Sequence, residues 1–269
     1  MTSRSARVSR AGIREVWEYR EVLMSLARRR VKVRYKQAVF GIGWALIQPL
    51  LSAALFALFI GHVARIGGEG VSYFAFALTG MVIWTFFSTT ALNGVNSLVA
   101  EGFLLRKVYF PREVLPLATV PAGMVDLLPA LLIALVVDAL SVRSPRLTWL
   151  ALPIPLLLVT TFALSIGLGL SAVNLYYRDV SYVMPFVFQV GLFASPVIYP
   201  LSQVPGSWRT AYSTVNPTAP AIDGLRRILL HGRWPDWPAT GLAFVWSLAL
   251  LSAGYALFKR LEHGFADRV

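Results

Sequence analysis

Few residues in this chain are equipped for chemistry, and their placement is informative. There is no cysteine, which removes thiolate nucleophiles, disulfides and Cys-ligated zinc. His62, His231 and His263 lie far apart, with no Asp or Glu at ligand spacing beside them, so they do not read as a metal site. The lysines are Lys32, Lys36, Lys107 and Lys259, and none follows a glycine. A phosphate-cradling G-x-x-x-x-G-K-[ST] loop is therefore absent, and the chain is not expected to hydrolyse ATP by that route. Two adjacent charged pairs remain, Arg178-Asp179 and Arg226-Arg227. They are thin material for a membrane glycosyl- or phosphotransferase, which wants paired carboxylates or a basic cluster at an interface. Asp126 falls near the middle of a long apolar run, and Asp138 sits at that run's end. An ionisable group inside a span is costly and marks a candidate functional position. Asp126 reads either as a relay or gate, or as a neutral carboxyl hydrogen-bonded near Pro129. No catalytic, cofactor or metal set is expected.

These residues are carried on long apolar stretches. Of the 269 residues, 57% are hydrophobic and 14% charged, where a soluble domain carries about 25% charged residues. Six stretches with few or no charges, Phe40–Val63, Val71–Val99, Val114–Val137, Leu147–Tyr177, Val180–Val204 and Pro238–Phe258, each reach the ~20 residues that a helix needs to cross ~30 Å of hydrocarbon. The expected fold is an all-α polytopic membrane protein with six transmembrane helices. The fifth stretch carries Pro185, Pro196, Pro200 and Pro205, so it is predicted to kink or break. Between it and the sixth lies 205–237, where PAIDGLRRILL, Pro220–Leu230, has helical spacing. This piece reads either as short helices dipping into the outer leaflet or as a surface loop anchored by Trp208, Trp234 and Trp237. The expected organisation is a basic tail and interface helix over 1–38, one membrane domain over 39–260, and a C-terminal tail over 261–269.

Charge sets the expected orientation. The net charge is +12, and eleven of the 25 Lys and Arg precede the first apolar stretch. That asymmetry argues against nucleic acid as the partner. From about Ala11, the positions Ile13, Val16, Trp17, Leu23, Met24, Ala27, Val31 and Tyr35 form one helical face, opposite Arg14, Glu18, Glu21, Arg28, Arg29 and Lys32. Such a helix either lies on an anionic membrane surface or is a solvated tail that sets topology. With the N-terminus inside, 18 of the 25 Lys and Arg fall on the inner side and 7 on the outer. The positive-inside rule then puts both termini in the cytoplasm. The connection Glu101–Pro116, EGFLLRKVYFPREVLP, falls on the same side. It carries Phe103, Leu104, Val108, Tyr109 and Phe110 on an amphipathic helix stopped by Pro111. Its apolar side belongs either in the lipid interface or in a groove on a partner.

Four stretches together resemble the ABC-2 type permeases that export polysaccharides and polyol phosphates, such as O-antigen, teichoic acid and capsule. They are RYKQAVFGIGWALIQP, Arg34–Pro49; FLLRKVYFPREVLP, Phe103–Pro116; NLYYRDV, Asn174–Val180; and Asn216-Pro217 followed by Arg226 and Gly232. Their order and spacing match the family over most of the chain.

The resemblance implies a transmembrane half-transporter in the bacterial inner membrane. It forms a homodimer and pairs with two copies of a separate ATPase, which binds the ATP and Mg. The N-terminal helix lies along the membrane surface. The connection after the second span is the coupling helix that docks in the ATPase, with Phe103, Leu104 and Tyr109 in a groove and Arg106, Lys107 and Arg112 around it. Short helices between the fifth and sixth spans form the outer gate. The implied substrate is a lipid-linked glycan, threaded between the two permeases. Aromatic residues suit such a path, and the candidates are Tyr73, Phe74, Phe76, Trp84, Phe86 and Phe87 in the second span and Phe186, Phe188 and Phe193 in the fifth, of which about a third are expected to line it while the rest face lipid or pack between helices. Asp179 is expected to meet a basic group of the coupling connection, with Arg178 facing substrate phosphates or the N-terminal helix. Export of a teichoic-type polymer or a small amphiphile, a membrane-embedded glycan-modifying enzyme, and an ion-driven carrier using Asp126 are the alternatives.

Overall fold

The computed structural model describes residues 15–36, 38–63, 68–107, 110–142 and 146–267, with main chain only at 42, 106, 107, 141, 142, 266 and 267. No strand forms among them, and the apolar stretches become helices. Helix α1 (Arg20–Tyr35) precedes a tight turn at Gly41–Gly43. Helix α2 (Trp44–Phe56) follows and widens into a π-helical turn over Ala57–Val63. Helix α3 (Tyr73–Ala100) is the longest. A short α4 (Gly102–Lys107) and α5 (Val114–Leu117) lead into α6 (Thr119–Val142). Then come α7 (Pro153–Tyr176), α8 (Asp179–Ala194), the short α9 (Gly206–Val215) and α10 (Thr218–Leu229), and α11 (Trp237–Leu261).

Five segments, Trp44–Val63, Tyr73–Ala100, Val114–Leu140, Leu147–Tyr176 and Trp237–Phe265, are long and apolar enough to cross a membrane. The remaining predicted span is shorter. Helix α8 has 16 residues, about 24 Å at 1.5 Å per residue, against ~30 Å of hydrocarbon. It runs through Pro185 and stops at Ala194, just before Pro196. The predicted disruption is therefore a break at its far end rather than a kink in its middle. The piece 205–237 resolves into the two short helices α9 and α10, the first of the two readings.

Helix α3 stands at the centre, with α2, α6, α7 and α10 packed around it. Its lining of small residues allows this. A Cβ added to Gly94 would lie 2.8 Å from Gly167 Cα, and one added to Gly169 would lie 3.1 Å from Gly254 Cα. The backbones of α3 and α7, and of α7 and α11, therefore touch, which is how helices associate where lipid is as apolar as leucine. The outer helices differ: the most apolar stretch of α2 is 11% buried and that of α11 17%, against 78% for α3. Their exposed apolar faces belong to lipid or to another copy of the chain.

Candidate functional site

Side-chain chemistry concentrates at the two ends of the bundle. One end, here the basic end, gathers α1, the connection 101–117, the turn between α7 and α8, and residues Glu262–Asp267 around a small apolar cluster. Leu26, Leu98, Phe110, Val114, Leu115, Leu175, Phe258 and Phe265 are all buried there. Beside them Glu113 is only 2% exposed. A carboxylate that deep needs a charged partner, and Lys259 of α11 supplies it while also donating to Glu262 at 2.9 Å. The Arg112 guanidinium lies 5.4 Å from the centre of the Phe265 ring and donates to the Glu262 carbonyl at 2.7 Å. The Tyr176 hydroxyl donates to the Leu261 carbonyl at 2.9 Å. The second half of the connection is thus built into the ends of α7 and α11, and the C-terminal segment is part of the bundle rather than a tail beside it.

Helix α1 is fastened to the same end from outside. Arg34 forms an ion pair with Asp126 of α6, whose other oxygen accepts from the Tyr35 hydroxyl at 2.6 Å. Arg29 meets Glu101 at 3.0 Å. Asp126 is therefore the anchor of α1 on α6, bonded to Arg34 and Tyr35. Burial, and after it the bond to Asp126, push the Tyr35 phenol up to about 12, so it stays a donor. The expected apolar stripe is split: Leu23 and Ala27 pack inward, joined by Leu26 from outside the stripe, whereas Met24 is 42% exposed and Trp17, ahead of α1, 71%. The predicted start of this helix, before residue 15, lies outside the described residues. Above the Arg34–Asp126 pair, α1, α2, α3 and α6 enclose a cavity of about 640 Å³, mostly apolar, with Gln48, Thr85, Thr89 and Asn93 in its wall.

The turn from α7 into α8 is held by an amide that sequence reasoning passed over. Asn174 donates to the Val95 carbonyl at 3.1 Å and to Asn96 Oδ1 at 3.2 Å, and its Oδ1 accepts from the Ser181 main chain at 3.1 Å. The Ser181 hydroxyl closes the network onto Asn96 at 2.8 Å. Asn174, at 0% exposure, thereby ties α3, α7 and α8 together at the NLYYRDV run. An asparagine within an otherwise apolar span was the signal available for it.

The opposite end, the loop end, is organised by Arg226 of α10. Its guanidinium stacks on the Phe76 ring, 3.4 Å from the centroid. It donates to the carbonyls of Phe76 (3.2 Å), Pro196 (2.6 Å) and Val197 (2.6 Å). Past the end of α8 the chain carries carbonyls without helical partners, and non-helical backbone at membrane depth must be satisfied by protein. Arg226 satisfies them. Asn216 and Tyr212 complete the cap by donating to the Ala194 carbonyl, Tyr212 at 2.8 Å. The neighbouring Arg227 bonds Asp223 at 2.6 Å. Burial pushes the Asp223 carboxyl up, and Arg227 beside it partly offsets this.

The expected coupling residues divide. Phe103 is 68% exposed, Leu104 packs against the basic-end cluster, and Arg112 is occupied by Phe265 and Glu262. The side chains of Arg106 and Lys107, and all of Tyr109, lie outside the described residues. The expected channel residues divide too. Phe76, Trp84, Phe86, Phe87 and Phe188 are buried in the core. Phe87 stacks on Phe162 at 4.9 Å and meets Phe188 edge-on at 5.6 Å. Carried on a central helix or its inward neighbour, these rings pack within the protomer, and Phe86 also lines the cavity beside Asp126. Phe74 is partly buried against the same core, and Tyr73 is half-buried, donating to the Ile198 carbonyl at 2.6 Å. Phe186 and Phe193 are 65% and 56% exposed on α8. Arg178 and Asp179 are exposed at the start of α8 and make no ion pair among the described residues. The Arg112 contact proposed for Asp179 is not formed.

The arrangement is that of a multi-pass helical bundle, with five segments long and apolar enough to cross a membrane. Residues 21–230 match the ABC-2 type transporter family, and the chain belongs to it. It is 30% identical to the O-antigen export system permease protein RfbA of Myxococcus xanthus, over 96% of this chain and 98% of that protein. A protein of the same name from Klebsiella pneumoniae is 27% identical over 92% of this chain and 94% of its own length. The polysialic acid transport protein KpsM of Escherichia coli is 23% identical over 88% and 92%.

Proposed function

We propose that this chain is the membrane-spanning permease subunit of an ATP-driven exporter that carries a lipid-linked polysaccharide, O-antigen or a similar glycan, out across the bacterial cytoplasmic membrane. The observation that carries the reading is the nearly end-to-end relationship to permeases named for O-antigen export. In this reading two copies of the chain pair with two copies of a separate ATPase, which binds ATP and Mg. Both termini and the connection 101–117 face the cytoplasm, as the Lys and Arg distribution favours.

The geometry supports a path between copies. On α8, Tyr182, Phe186, Gln189 and Phe193 recur at three- and four-residue spacing and are all exposed, while Met184 and Phe188 face inward. An exposed aromatic stripe with no ring partner among the described residues suits the C–H faces of passing sugar rings. At the basic end, exposed Phe103 is the anchor for the ATPase groove, and Arg112, Glu113 and Lys259 carry the movement onward into α11.

The test is made in cells of the source bacterium. Deleting the gene should strand lipid-linked glycan on the inner face of the membrane, and the intact chain with its ATPase should restore surface glycan. Normal surface glycan in the deletion strain sinks the reading.

A further inference from the structure

The loop end holds a second cavity, of about 690 Å³, between α9, α10 and the start of α11. Its wall is unlike that of the cavity above Asp126, because charge dominates it. Glu69, Asp223 and Asp236 face Arg209, Arg227 and Arg233, three carboxylates against three guanidiniums. A phosphate or an acidic polymer would need an excess of positive charge here, and there is none. A divalent cation would need clustered ligands, and no such group exists among the described residues.

Several of these groups retain hydrogen-bonding capacity. Arg227 reaches Asp223 at 2.6 Å but Asp236 only at 3.8 Å. Glu69 accepts from the Ser202 hydroxyl at 2.8 Å, and its second oxygen stands 3.8 Å from His231, too far for a bond. Arg233 is exposed; its main chain donates to the Arg227 carbonyl at 2.7 Å, but its side chain makes no ion pair or hydrogen bond among the described residues. The Ser213 side chain, also in the wall, is 2% exposed, and its hydroxyl has no partner. A buried hydroxyl left unpaired in a polar cavity points to something that fills it. Trp234 and Trp237, stacked with centroids 6.5 Å apart and about half exposed, are interleaved in sequence with the wall residues Arg233, Asp236 and Pro238.

A ligand that meets alternating carboxylates and guanidiniums must both donate and accept at neighbouring atoms. Sugar hydroxyls do this, and the apolar ring faces would meet Leu201, Pro220, Pro238 and Leu242 of the wall, with the tryptophan pair outside it. The volume is in the range of small-ligand sites, ~300–1,000 Å³. We propose that this cavity binds a short, uncharged saccharide segment. That the segment belongs to the exported polymer rests on the glycan-export reading above; the cavity's chemistry does not.

The test uses the whole transporter, permease with its ATPase, in lipid nanodiscs without nucleotide. Maltohexaose, a mannohexaose and a hexamer of sialic acid are titrated, with saturation-transfer NMR and tryptophan fluorescence as readouts. At least one neutral hexasaccharide should bind in the millimolar range, and the sialic acid hexamer should bind more weakly. Arg233→Gln removes a side chain with no structural partner and should weaken binding about tenfold, the effect of one charge-assisted hydrogen bond. Ser213→Val should act in the same direction, with melting temperature checking the fold. The proposal is overturned if neither neutral sugar binds, if the acidic hexamer is preferred, or if both variants bind as the parent does. The tryptophan pair would then be a membrane-interface anchor. The two readings fail separately. Normal surface glycan without this chain sinks the export function, whereas glycan export that needs the chain, combined with an empty titration, sinks only the saccharide cavity.

Discussion

The two ends of the bundle solve the same problem, irregular chain between helices, with different bonds. At the basic end the fastening is mostly between side chains of opposite charge, Arg34 with Asp126, Arg29 with Glu101, and Lys259 with Glu113 and Glu262, with Arg112 and Tyr176 adding bonds to main-chain carbonyls. Each such bond has alternatives, because either partner can be met by water, an ion or another protein. At the loop end the fastening is from one buried guanidinium to main-chain carbonyls. Those carbonyls cannot be mutated away, and of the three the Phe76 carbonyl also accepts from the Thr79 hydroxyl at 2.9 Å. The contrast separates an end that can exchange partners from one that cannot, which is the asymmetry expected if the basic end receives a second protein.

The sharpest way to break this comparison is at Arg226. Arg226→Ala should cost about 5 kcal/mol, since several bonds to a charged donor are lost and buried carbonyls are left bare. Arg226→Lys should recover less than half, because an ammonium lacks the planar fork. Thermal melting of purified protein in detergent measures both, and a lysine variant melting like the parent would show that the fork is irrelevant.

At the basic end the effects should be smaller and reversible by exchange. Glu113→Ala leaves Lys259 half-buried beside one remaining carboxylate and should cost about 3 kcal/mol. The double exchange Glu113→Lys with Lys259→Glu should restore part of that loss; no restoration would mean that the pair's position, not its charge complementarity, matters. Asp126→Asn should cost only about 1 kcal/mol, because the pair is partly solvated. Its signature should instead be faster hydrogen exchange of the amides in α1 than in the parent protein. Unchanged protection of α1 would show that packing, not the ion pair, holds it. The smallest effect is expected for Arg29→Ala, whose side chain is 60% exposed: a loss under about 0.5 kcal/mol that high salt abolishes in the parent.

The apolar stretches, the break before Pro196 and the short helix after Glu101 were legible because each has a local cause: a run of a given length, or a ring without an N–H. What could not be read was which way each helix faces. The most apolar part of α2 is 11% buried and that of α3 78%, yet both are simply apolar in sequence. Lipid and protein interior impose the same composition, so Phe76, Trp84 and Phe87 gave no sign that they were packing rather than lining a path. The ion pairs were hidden for another reason. Arg34 and Asp126 are 92 positions apart, and nothing local in either stretch names the other. Arg178 and Asp179 stood out by adjacency of charge, while Asn174, a lone neutral side chain, gave little sign of the network it forms with Asn96 and Ser181.

The touching backbones of α3, α7 and α11 have a mechanical consequence. Helices separated by side chains can slide by changing rotamers, but helices in contact through glycine have no such compliance. The three therefore behave as one stiff strut. At 28 residues α3 is about 42 Å long, with the Asn174 network near one end and Phe76 beneath Arg226 near the other. A displacement imposed on Glu113 or Lys259 is not absorbed within the membrane. It arrives almost whole at the broken end of α8, on the far side of the bilayer.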